Sequence, residues 1–74
     1  MFQKEIFRSR LKALRLERGL TQEQFGKALG ISKQLASHWE TGIQLPNVPM
    51  LVQMADFFDV SLDYLTGRSD ERGK

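Results

Sequence analysis

Apolar residues recur at three- and four-residue spacings along this chain, and no segment shows the two-residue alternation of a half-buried strand. Phe7, Leu11 and Leu14, with Ile6 beside them, predict a first helix over residues 3–18 whose other faces are basic; Gly19 stands where a helix stop favours glycine. Thr21 is a good N-cap, and Gln24 three residues on completes a capping-box pattern. Phe25, Ala28 and Leu29 form the stripe of that second helix, which Gly30 ends in a left-handed turn. Ser32 caps a third helix through Leu35, Ala36 and Trp39, stopped at Thr41-Gly42. A loop over 43–47 leads to Asn47, the cap of a fourth helix with Pro49 in its first turn and Val48, Leu51, Val52, Ala55 and Phe58 as its apolar face. Asp59 is the stop, a residue type that tolerates the left-handed conformation. Ser61 caps a short fifth helix over 61–66, and Gly67 ends it.

The expected fold is all-α: one compact five-helix domain over residues 1–67. The polar run 68–74 has nothing to bury and reads as a disordered tail or the start of a linker. The expected core is Phe7, Leu11, Leu14, Leu20, Phe25, Ala28, Leu29, Ile31, Ala36, Trp39, Leu51, Ala55, Phe58, Val60 and Leu65.

The stretch from Thr21 to Glu40 organises the rest. Two short helices joined by a tight glycine turn are the sequence form of a helix-turn-helix. Gly26 on the first and Ala36 on the second are small enough to let the two cross closely. Ser32, Lys33, Gln34, Ser37 and His38 are polar and mostly share the face opposite Ala36 and Trp39. Such a row of donors and acceptors can read base edges in a major groove. Taken on any isolated helix, the same row is a solvated face; the agreement of the apolar positions on both sides of Gly30 favours DNA.

Composition narrows the function. There is no cysteine and one histidine, so neither a disulfide framework, a thiolate metal site nor a zinc site is expected. No paired carboxylates converge on a cleft, so no catalytic residue, enzyme activity or cofactor is expected. The chain lacks an apolar run of about 18 residues and a signal peptide, which suits a soluble cytoplasmic protein without membrane partners. The net charge of +2 is unevenly spread: residues 1–20 hold six basic against two acidic side chains, whereas residues 43–67 hold Asp56, Asp59 and Asp63 and no base. One basic and one acidic end suit a module that meets a polyanion on one side.

Leu14, Arg15, Arg18, Gly19, Leu20, Thr21, Gln22, Phe25, Ala28, Gly30, Ile31, Ser32, Trp39, Glu40, Gly42, Pro46, Leu51, Ala55, Val60, Ser61 and Leu65 together resemble the Cro/cI-type helix-turn-helix family, also called the XRE family. The resemblance covers about residues 6–67; Asp59 stands where that family usually has glycine, and Leu35 departs from the usual polar character near the recognition face. It implies a lambda-repressor-like DNA-binding domain that regulates transcription as a repressor, with recognition helix 32–40 in the major groove. Ser32, Lys33, Gln34, Ser37 and His38 would contact bases. Gln34 offers the carboxamide that pairs with adenine, and Lys33 can donate to guanine or to a phosphate. Gln22 would clamp a phosphate at a helix N-terminus; Arg10, Gln44 and Asn47 are further phosphate candidates. Arg15 and Glu40 match a family pair that forms a partly buried structural ion pair, although their spacing alone allows two independent solvated charges.

Proteins of this class pair on two-fold symmetric operators, which implies a homodimer at least on DNA. Phe57 and Tyr64 lie off the inward stripes and are the candidates for that contact. Domains of this pattern also serve as antitoxins or adaptors whose main partner is a protein, and that reading stands as the alternative; an exposed apolar patch around Ile43, Leu45, Phe57 or Tyr64 would favour it, and could equally be the homodimer contact.

Overall fold

The computed structural model describes residues 2–73. It has five helices: α1 (Lys4–Glu17), α2 (Gln22–Leu29), α3 (Lys33–Thr41), α4 (Val48–Phe58) and α5 (Leu62–Thr66). Among the described residues there is no strand, and no helix is long and apolar enough to cross a membrane.

Local chemistry sets each boundary. Thr21 and Gln24 form the reciprocal capping box, the Thr21 hydroxyl accepting from Gln24 N at 3.1 Å and Gln24 Oε1 accepting from Thr21 N at 2.9 Å. Ser32, Asn47 and Ser61 cap α3, α4 and α5 in one direction only, their side-chain oxygens accepting from Leu35 N, Met50 N and Tyr64 N. Gly30 closes α2 at φ 75°, with Ile31 N donating back to Gly26 O at 2.8 Å. Asp59 takes the left-handed conformation at φ 56°, as its place in the chain predicts.

The core gathers Phe7, Leu11 and Leu14 of α1, Phe25 and Leu29 of α2, Ala36 and Trp39 of α3, Leu51, Met54, Ala55 and Phe58 of α4, then Val60 and Leu65. Leu20 and Ile31 are partly buried against it. Two assignments change. Ala28 is exposed, because the side of α2 that carries Phe25, Gly26 and Leu29 faces inward and turns Ala28 to solvent. On α4 the buried stripe is Leu51, Met54, Ala55 and Phe58, leaving Val48 and Val52 exposed. That helix is apolar on nearly every side, so periodicity could not select its inner face.

Residues 68–73, expected as a free tail or linker, run back across α1 and α5. Ser61 N donates to Arg72 O at 2.9 Å, and Arg72 pairs with Glu17 through its two terminal guanidinium nitrogens. The hydrogen bond from Arg72 holds the Glu17 carboxyl below its ordinary pKa. Met1 and Lys74, the ends of the expected domain and tail, lie outside the described residues.

Candidate nucleic-acid interface

The close crossing of α2 and α3 depends on Gly26. A Cβ built there would meet Ile31 O at 2.7 Å and Ser32 C and O at 3.3 Å. These are backbone atoms of the turn, which cannot swing aside as a side-chain tip would. The glycine therefore lets the turn lie directly on α2, and Ala36, fully buried, brings α3 in beneath it. Trp39 is 2% exposed and anchors the same face, consistent with a structural role.

With that face buried, the opposite one is presented outward. Lys33 and Gln34 are exposed, and Ser37 and His38 are half-buried beside them. Ser32 is exposed too, but its hydroxyl accepts from Leu35 N at 3.0 Å and thereby caps α3. That leaves the Ser32 O–H as a donor. Gln44 joins this face from the following loop: its N donates to His38 O, and its Oε1 lies 3.3 Å from His38 Nδ1. Together Ser32, Gln34, Leu35, His38 and Gln44 line a shallow depression. Leu35 is partly buried against the core at its floor.

Arg15 and Glu40 are joined. Arg15 Nε donates to Glu40 Oε2 at 2.6 Å and Nη2 to Oε1 at 3.1 Å, the bidentate fork that a guanidinium favours. The remaining nitrogen, Nη1, donates to Leu20 O at 2.7 Å. The two side chains are 9% and 6% exposed, so this is a buried pair linking the last turns of α1 and α3. Gln22 Nε2 reaches the same carboxylate at 3.3 Å, so Glu40 also orients the side chain at the start of α2.

The other phosphate candidates separate. Asn47 uses its side-chain oxygen to cap α4, accepting from Met50 N at 2.9 Å. Arg10 is not brought to this surface. Its guanidinium donates to Tyr64 O, to Ser69 O and to Asp70 Oδ1, and it lies 4.0 Å over the Tyr64 ring. The α1 spacing explains this: Arg10 projects toward α5 and the tail, whereas Lys4, Arg8 and Lys12 form a separate stripe one turn apart. Arg8 and Lys12 line a cleft of about 400 Å³ with Glu5, Ser9, Gln22, Glu40 and Thr41. Arg8 itself is held by Glu5 and by the Glu40 carbonyl. Lys12, whose i,i+4 relation to the like-charged Arg8 is consistent with a phosphate-facing surface, is the other basic residue near Gln22.

The pairing candidates are also partly occupied. Phe57 packs edge-on against Phe25 and Phe58, and Tyr64 lies under Arg10 and Arg72. Among the described residues no group of three or more His, Cys, Asp or Glu could hold a metal ion.

Comparison with known proteins agrees with this geometry. The helix-turn-helix family model matches residues 11–65. The uncharacterized HTH-type transcriptional regulator YazB of Bacillus subtilis is 41% identical over 61 residues, 82% of this chain and 88% of that protein. The HTH-type transcriptional activator BcrR of Enterococcus faecalis is 39% identical over 80% of this chain, which spans only 29% of BcrR. The solution structure of the SOS-response transcriptional repressor LexA from Eubacterium rectale superposes with a TM-score of 0.80 at 30% identity, covering 86% of this chain and 68% of that one.

Proposed function

The chain belongs to the helix-turn-helix family of transcriptional regulators, and on that premise we propose that it binds double-stranded DNA sequence-specifically and represses transcription by occupying its operator. The observation that carries this is the outer face of α3: polar, accessible, and held rigidly by the glycine crossing and the buried ion pair behind it. Residues 32–40 enter the major groove, with Ser32, Lys33, Gln34, Ser37 and His38 toward the bases. Gln22, at the positive end of α2, takes a phosphate; Lys12 takes another in place of Arg10, and Gln44 flanks the groove. The domain spans residues 1–67 and works in the cytoplasm. As one recognition helix reads only a few base pairs, two copies occupy a two-fold symmetric site, with half-sites about 10–10.5 base pairs apart.

Salt titration on random duplex tests the electrostatic part. Log K should fall against log salt by roughly 0.9 per phosphate neutralised; a flat line would remove the DNA reading. Specificity is tested on a site selected from random sequence. Gln34→Ala should relax preference at one position by about 1–3 kcal/mol, whereas Gln22→Ala should weaken every sequence alike. Equal losses on all sequences from both variants would show the roles to be misassigned.

A further inference from the structure

His38 is the only histidine of the chain, and it stands half-buried on the outer face of α3. The loop behind it holds it in place. Gly42 ends α3 in the left-handed conformation and turns the chain back. Gln44 N then donates to His38 O at 3.3 Å, and the Thr41 hydroxyl donates to the same carbonyl at 3.2 Å. With its backbone fixed there, Gln44 also meets the ring: its Oε1 lies 3.3 Å from His38 Nδ1. Both side chains line the depression that Ser32, Gln34 and Leu35 complete.

A carboxamide oxygen can only accept, so this bond needs the proton on Nδ1. A neutral imidazole carries one proton, and Nε2 therefore keeps its lone pair. In the major groove an acceptor is matched by an exocyclic amino group, adenine N6 or cytosine N4, and is mismatched with guanine O6 and N7 or thymine O4. With the carboxamide turned the other way the polarity would reverse: its NH2 would donate to Nδ1, and Nε2 would carry the proton. We propose that Gln44 is a positioning residue that fixes the Nδ1–H tautomer of His38, and that His38 Nε2 accepts from the amino group of adenine or cytosine at one operator position. The proposal rests on the DNA-binding reading above and deepens it, giving His38 a definite polarity and a definite chemical partner. The amide N–H groups of Gln44 are not used by this bond, so a phosphate contact from the same side chain does not compete with it.

Two measurements on the whole chain test it, with the folding of each variant checked by circular dichroism. The first needs no DNA: long-range proton–nitrogen NMR of the deprotonated imidazole separates the two tautomers. The wild-type ring should show Nδ1–H. Gln44→Ala should return it to the Nε2–H form that a solvated imidazole favours, while Gln44→Glu, which keeps an acceptor, should hold Nδ1–H. An Nε2–H ring in the wild type would overturn the proposal. The second measurement uses the selected site, on which His38→Ala marks the position that His38 reads. Removing the exocyclic amino group there, with purine for adenine or pyrimidinone for cytosine, should weaken wild-type binding roughly threefold to tenfold, the worth of one neutral hydrogen bond. The same change should leave His38→Ala binding unaltered. Gln44→Ala should lose most of that sensitivity and Gln44→Glu should keep it, whatever uniform loss the added negative charge brings. Full sensitivity in Gln44→Ala, equal weakening of all sites, or sensitivity to loss of a purine N7 in place of the amino group would each overturn the proposal. If no duplex is bound at all, the DNA reading fails and takes the base contact with it, while the tautomer is still decided by the spectrum of the free protein.

Discussion

Arg15→Ala is expected to remove about 3–5 kcal/mol of folding stability, the range for breaking a buried pair from one side. The loss is large because the partner stays behind. Without the guanidinium, the Glu40 carboxylate keeps only the 3.3 Å contact from Gln22 in a site where its side chain is 6% exposed. The Leu20 carbonyl loses its donor as well. Glu40→Ala should cost a comparable amount by stranding Arg15, and it also releases Gln22 from its orienting contact. A double-mutant cycle in denaturant should therefore show strong coupling between the two positions. Replacing both by apolar residues of similar volume should be far milder than either single change. Zero coupling would mean that the pair, though well formed, does not hold α1 to α3.

That pair also shows how far the residues alone could lead. Residue types and family resemblance proposed Arg15 with Glu40, but only the fold brings positions 25 residues apart within 2.6 Å. Caps and stops were legible because each depends on a few neighbouring residues: Thr21 with Gln24, Gly30, Asn47 and Asp59 all stand where local chemistry puts them. The inner face of α4 was not legible, since Met54 and Val52 are equally apolar and only packing distinguishes them. The partners of Arg10 were hidden for a related reason. A basic residue on a basic helix suggested phosphate, while its partners lie more than fifty residues away, Tyr64 in α5 and Ser69 and Asp70 in a tail that looked unpaired. The polar face of α3 was readable because its complement, Ala36 and Trp39, is unmistakably buried.

Phe25→Ala should be the other large loss, about 3–5 kcal/mol for truncating a buried aromatic. Phe25 is fully buried and joins the helix-turn-helix to the end of α4. Its ring stacks on Phe58 at 5.6 Å and 9° and meets Phe57 edge-on at 6.2 Å, while the Arg18 guanidinium lies 5.3 Å over Phe57. Alanine would leave a cavity where α2 meets α4 and would remove two ring contacts worth about 0.5–1.5 kcal/mol each beyond their area. A domain of 74 residues has only about 4–11 kcal/mol in total, so this one change could consume most of it. Urea unfolding should show a much lower midpoint with an unchanged slope. Phe25→Leu, which refills most of the volume without the ring, should lose less than half as much. DNA affinity should fall in proportion to the folded fraction and return where the variant is fully folded, because Phe25 supports the recognition helix without touching the groove. A loss under about 1 kcal/mol would show that the packing around α2 closes over the gap, and that the aromatic cluster is not what joins the two halves.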